Sequence, residues 1–238
     1  MNLRIAVLVL VSVLSANAAD KAARITAHPT KPSAACVPGL YPLGLASGRD
    51  GHLFIPTAAK TAKRLHLVVF LHGATFDSQE GIEALRDDAE RDGFLLLATD
   101  SRGTTWDAIR GTFGPDVEFL NRALGQVYRQ CPVDGGHVTV AGFSDGATYA
   151  LSLGIANGDV FSRVIAFSPG FIVPAGVLGK PSIFITHGTR DRILPIDQTS
   201  RRIVDSLQGL GYNVVYREFD GPHAMSRKLI EEAVKWAK

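Results

Sequence analysis

Residues 138–147, VTVAGFSDGA, hold the group in this chain best placed to act as a nucleophile. Gly142, Phe143, Ser144, Asp145 and Gly146 fit the pattern G-x-S-x-G, which is common by chance and takes its meaning from its flanks. Residues 138–141 alternate β-branched and small apolar side chains, as a buried strand does, and residues 147–156 (ATYALSLGIA) read as an apolar helix. A strand, a sharp turn and a helix would lift the Ser144 hydroxyl above the end of a sheet. The helix N-terminus beneath it would favour negative charge. Gly142 and Gly146 would stand where strand and helix crowd together and a Cβ has no room.

A serine hydroxyl is a weak nucleophile at neutral pH and needs a base oriented by a third group. Residues 182–186 (SIFIT) read as an apolar strand leading into His187-Gly188-Thr189-Arg190-Asp191, so Asp191 lies just past a strand end. His223 falls in Asp220-Gly221-Pro222-His223, between the last strand and the last helix. The expected set is therefore Ser144 as nucleophile, Asp191 as acid and His223 as base, in the chain order of a nucleophile carried on such a turn. Asp100, Asp197 and Asp220 compete for the acid's place. Of the seven histidines, His28, His52 and His137 fall in loops or edges, His66 in a strand, and His72 and His187 at strand ends. The last two are expected to brace their loops through backbone hydrogen bonds.

Attack on a carbonyl also needs donors for the oxyanion that forms. The backbone N–H of Asp145, next to the nucleophile, is one candidate. That of Ala74, in His72-Gly73-Ala74-Thr75 after a strand, is the other. The Asp145 carboxylate would oppose an oxyanion unless it points away, and it is expected to turn toward the helix N-terminal amides. Phe76, Trp106, Phe143 and Phe171 lie near loop ends and are expected to form apolar, substrate-binding walls.

Elements able to position these groups alternate along the chain. Residues 43–47 and 52–56 look like an edge hairpin about Gly48-Arg49-Asp50-Gly51. Strands are expected at 64–71 (RLHLVVFL), 94–99, 138–141, 163–167, 182–186 and 213–219. Helices are expected at 78–91, capped by Ser78, and at 116–130, 147–156, 196–210 and 224–238. Buried strands alternating with helices predict the α/β class: a mainly parallel central sheet with helices on both faces. One domain, residues 41–238, follows an irregular arm, 19–40. The stretch FSPGFIVPAGVLGKP is too short to hold a large cap domain, so an open site is expected.

With 46% hydrophobic and 20% charged residues and a net charge of +2, the 238-residue chain has no electrostatic footprint for nucleic acid. Arg4, the apolar run 5–14 and Ala16-Asn17-Ala18 read as a signal peptide over residues 1–18, against the alternative of an uncleaved anchor. That predicts a secreted or periplasmic protein with no stable membrane insertion after cleavage. In an oxidising compartment Cys36 and Cys131 are expected to pair, the alternative being two free thiols. Neither cysteine belongs to a metal-ligand or C-x-x-C pattern, and no metal or cofactor is expected.

The stretches LHGAT (71–75), TDSRGTTWD (99–107), GFSDGATYALSLG (142–154), FSPGF (167–171), HGTRDRILPI (187–196) and GPHAM (221–225) together resemble the esterase branch of the α/β-hydrolases. The likeness is to phospholipase/carboxylesterase-like and polyhydroxybutyrate-depolymerase-like serine esterases, and it covers nearly all of residues 65–238. It implies the α/β-hydrolase fold and cleavage of a small-molecule or polymer-end acyl ester, with Ser144 as nucleophile, Asp191 as acid and His223 as base. His223 follows Pro222 where the family has a second glycine, and Ala74 stands where many lipases have glycine. A thioesterase or peptidase would use the same three residues. A binding protein on a hydrolase scaffold is the reading from a different class.

Overall fold

Strand β3 (Leu65–Leu71, LHLVVFL) is buried at every position except His66, and β4 (Leu95–Thr99) is buried throughout. Strands buried on both faces must be covered by helices on both sides. The computed structural model describes residues 20–238, so the expected signal peptide lies outside the described residues. The other strands are β1 (Gly39–Pro42), β2 (Gly51–Ile55), β5 (Val133–Phe143), β6 (Arg163–Phe167), β7 (Ser182–Gly188) and β8 (Val214–Phe219). Among the described residues they form one eight-stranded sheet in the order β1-β2-β4-β3-β5-β6-β7-β8. From β4 to β8 all pairings are parallel; β1 and β2 add an antiparallel edge.

Alternate strand residues feed two cores. Leu67, Val69, Leu97 and Val140 pack with α3 (Pro115–Gln130), α4 (Asp145–Ala156) and α5 (Ser200–Gly209). Val68, Phe70, Leu96 and Ala141 pack with α1 (Ser78–Asp92) and α6 (Arg227–Trp236). This is the mainly parallel α/β architecture expected. The stretch from Ser168 to Pro181 forms no helix or strand and inserts no cap.

Local departures have identifiable causes. Residues 43–47 are not a strand; the Asp50 carboxylate accepts the N–H groups of Gly44, Leu45 and Ala46 and folds them into a loop, leaving β1 to pair with β2. Asp77, not Ser78, caps α1 by accepting the Gln79 N–H. The helix expected at 196–210 breaks at Thr199 (φ −123°, ψ −101°) into a single 3-10 turn and α5. A four-residue helix, α2 (Asp107–Arg110), was not expected. It is locked to α3, because the carboxylates of Asp107 and Asp116 each accept the other's backbone N–H.

The N-terminal arm, expected to be irregular, is helical at residues 20–22 and enters β1 at Gly39, with irregular chain between, and it is tightly docked. Ile25 is buried and its N–H donates to the Asn157 side chain, Asn121 accepts from Thr26 and Ala27, and Arg24 pairs with Asp159 at 2.6 Å. Cys36 and Cys131 form a disulfide with a Cα–Cα distance of 4.8 Å across 95 residues. Closing a loop of this length removes unfolded-chain entropy equivalent to about 4–5 kcal/mol. Urea unfolding of the reduced protein is therefore expected to show a loss of that order. An unchanged midpoint after verified reduction would contradict it.

His66 has its pKa lowered to about 4, first by burial and then by the Arg163 and His137 charges. The folded state thus binds fewer protons than the unfolded chain, whose imidazole titrates near 6.5. Stability from this group is fully present above about 6.5 and lost as pH falls toward 4. Replacing His66 with Gln is expected to flatten the loss of stability over that window in urea titrations; an identical pH dependence would refute the assignment.

Candidate functional site

Ser144 occupies the turn between β5 and α4 with φ 54° and ψ −117°, a region that a residue with a Cβ enters only under constraint. Its N–H donates to the Phe167 carbonyl at 2.9 Å, and its own carbonyl accepts from Ala147 and Thr148. The two flanking glycines permit the turn. A Cβ on Gly142 would run into the Gly146 carbonyl, and one on Gly146 into the carbonyls of Leu71 and His72 at the end of β3.

Two residues far away in sequence meet this hydroxyl. His223 Nε2 lies 2.8 Å from Ser144 Oγ, and its Nδ1 lies 2.5 Å from Asp191 Oδ2. Nδ1 donates to the carboxylate, so Nε2 is left to accept the serine proton. Asp191 Oδ1 accepts the N–H groups of Ile193 and Leu194, each at 2.8 Å. Burial alone would raise the Asp191 pKa. The Leu194 N–H and the His223 hydrogen bond outweigh it and hold the carboxyl below its ordinary value.

A second imidazole touches the same carboxylate. His187 Nε2 lies 3.0 Å from Asp191 Oδ2 and 2.8 Å from the Leu194 carbonyl, so it carries the proton, while Nδ1 accepts the Ser200 hydroxyl at 2.6 Å. Burial lowers the His187 pKa and favours this neutral form despite the adjoining carboxylate. His187 thus braces its loop through the Leu194 carbonyl, as expected, and also holds Asp191, a contact not expected from the sequence. The i, i+4 spacing at the end of β7 was the available signal. The rival acids are engaged elsewhere: Asp100 with the Asp50 and Ser78 N–H groups, Asp197 with Arg201, and Asp220 with Arg190.

The loop after β3 lies against Ser144, since a Cβ on Gly73 would sit 3.6 Å from Ser144 Cβ. Glu80 of α1 accepts the Gly73 N–H at 2.6 Å, and Thr75, at φ 67°, donates to the Thr104 carbonyl. His72 is fully buried; its Nδ1 donates to the Gly73 carbonyl and its Nε2 accepts from Ser101 N–H and Arg49. Among the described residues the Ala74 N–H has no acceptor. That of Asp145 begins α4 and so has none within the helix. The Asp145 carboxylate accepts the Thr105 hydroxyl at 2.6 Å, which corrects the expected turn toward the helix amides.

The four aromatic residues divide. Trp106 is 0% exposed, stacks on Tyr149 and donates Nε1–H to the His72 carbonyl; it belongs to the core and lines no cleft. Phe143 is half-buried with its ring 4.9 Å from that of His223. Phe76 and Phe171 are exposed. One open cleft, of about 520 Å³, is bordered by His223 itself with Arg190, Arg192, Ile193 and Pro222; another, of about 590 Å³, is bordered by Phe76, Asp77, Glu83 and Met225. Among the described residues no cluster of three or more His, Cys, Asp or Glu could hold a metal ion, and no helix is long and apolar enough to cross a membrane.

No protein-family model and no curated protein matches the sequence. Solved structures do. The chain superposes on esterase PE8 with a TM-score of 0.62 and 21% identity, covering 78% of this chain and 96% of that one. The fold is that of the α/β-hydrolases. The fluorophosphonate-binding serine hydrolase F of Staphylococcus aureus matches with a TM-score of 0.67 and 14% identity over 84% of this chain and 99% of its own. A CE1 ferulic acid esterase of Anaeromyces mucronatus, in complex with ferulic acid, matches at 0.61 and 15% over 86% and 92%.

The α/β-hydrolase turn at Ser144 depends on Gly146 having no side chain. Gly146→Ala is expected to lower stability by about 3 kcal/mol or more, because backbone carbonyls cannot yield as a flexible side chain would. Wild-type stability in urea would show that β3 and α4 are less tightly apposed.

Proposed function

We propose that this protein is a serine hydrolase that cleaves carboxylic esters through an acyl-enzyme intermediate. The observation that carries the reading is the hydrogen-bonded line from Ser144 Oγ through His223 to Asp191. Ser144 Oγ attacks the carbonyl carbon while its proton passes to His223 Nε2. The tetrahedral oxyanion takes hydrogen bonds from the N–H groups of Ala74 and Asp145, each worth about 3–4 kcal/mol in the transition state. His223 then gives the proton to the leaving alkoxide. In the second half it removes a proton from water, which attacks the acyl carbon and restores the Ser144 hydroxyl. Asp191 holds the imidazole in its productive tautomer and stabilises its charged form.

Among the described residues no cap insertion covers the clefts, and Phe76 and Phe171 stand exposed, which suits short or medium acyl esters and accessible polymer ends better than long triglycerides. Esterase PE8 and the ferulic acid esterase share the fold, which supports the same chemistry. The Cys36–Cys131 disulfide supports action outside the cytoplasm. Treatment with a fluorophosphonate probe is expected to label the wild-type protein and not the Ser144→Ala variant. Equal labelling of both would overturn the assignment of the nucleophile.

A further inference from the structure

Two open clefts differ in charge, and one of them is lined by His223 itself. In the other, Asp77, Glu80 and Glu83 line the wall, and the lone cation there, Arg227, is paired with Asp88 and Glu231. In the cleft at His223 the wall is formed by Arg190, Arg192, Ile193 and Pro222. Arg190 is neutralised by Asp220 at 2.9 Å. The side chain of Arg192 makes no hydrogen bond or ion pair among the described residues. Its neighbour Asp191 cannot satisfy it. The Asp191 side chain is 0% exposed, Oδ1 holds two N–H groups, and Oδ2 holds two imidazoles. Those same bonds fix the backbone around Arg192, and the Arg190 N–H donates to the Gly221 carbonyl. Ile193, 70% exposed, adds an apolar surface beside the charge.

Proton transfer says which half of an ester meets this cleft. The leaving oxygen receives its proton from His223 Nε2, so the leaving group must lie on the imidazole's side. We propose that the cleft on the His223 side is a subsite for leaving groups that carry an anion, with Arg192 as the residue that recognises it. The assignment rests on the acyl-transfer reading above and adds to it the class of substrate: esters of alcohols or phenols that bear a carboxylate or comparable anion. The acidic residues of the other cleft, Asp77, Glu80 and Glu83, would disfavour the same anion there.

The test compares 4-acetoxybenzoate with its neutral counterpart 4-acetoxybenzamide in the full protein. The differing intrinsic reactivity of the two esters cancels when the ratio of their kcat/KM values is compared between variants. Arg192→Gln is expected to lower the ratio of anionic to neutral ester about three- to fivefold, the scale of a solvent-exposed ion pair. Arg192→Glu is expected to lower it further, and raising the ionic strength to shrink the wild-type ratio toward that of Arg192→Gln. Thermal melts of the variants establish that they are folded. An identical ratio in wild type and both variants, with both esters turned over, would overturn the subsite alone. Hydrolysis of neither ester by the wild-type protein would overturn the acyl-transfer reading, and the subsite with it.

Discussion

Backbone against backbone is the constraint on which the site depends. The first turn of α4 lies so close to the end of β3 that Gly146 presses its Cα toward the Leu71 and His72 carbonyls. Gly142 in turn faces the Gly146 carbonyl, so strand and helix meet with no side chain between them. Ser144, caught between, is held at positive φ, and the cost of that conformation is offset by burial of nearly all of α4. The same approach puts Gly73 beside Ser144, so one packing contact sets both the proposed nucleophile and the loop carrying the proposed Ala74 donor.

The second requirement is a fixed carboxylate. Asp191 receives four donors on two oxygens, so its orientation is overdetermined, and His223 inherits that rigidity through a 2.5 Å hydrogen bond. The loop after β3 is braced in a comparable way. His72, Glu80 and Arg49 tie it to β4's following loop and to α1, and Trp106 closes the stack beneath. In both places a buried polar side chain whose bonding atoms are matched to partners does what a loop's own backbone cannot.

Much of this was legible in the sequence because it follows from backbone geometry and strand burial. The run RVIAF has the bounds observed for β6, and the glycines about Ser144 announced the turn. Asp191 and His223 could be picked out because both follow strands at the end of a parallel sheet where Ser144 also lies. What the sequence concealed is the direction in which a side chain turns once the backbone is placed. Trp106 at a loop end could face the cleft or the core, and only the partners His72 and Tyr149 settle that it faces inward. Asp145 met the Thr105 hydroxyl, Asp50 drew a would-be strand into a loop, and His187 found Asp191. Each is a tertiary hydrogen bond overriding a local expectation.

Acyl transfer requires the nucleophile to reach the carbonyl carbon, the two N–H donors to reach its oxygen, and the base to stand beside both the attacking and the leaving oxygen. The most direct measurement of that arrangement is a crystal structure of the protein after reaction with a fluorophosphonate. The account predicts phosphorus bonded to Ser144 Oγ, with the phosphoryl oxygen about 2.7–3.1 Å from the N–H groups of both Ala74 and Asp145. An unmodified Ser144, or an adduct whose phosphoryl oxygen faces away from both donors, would contradict it.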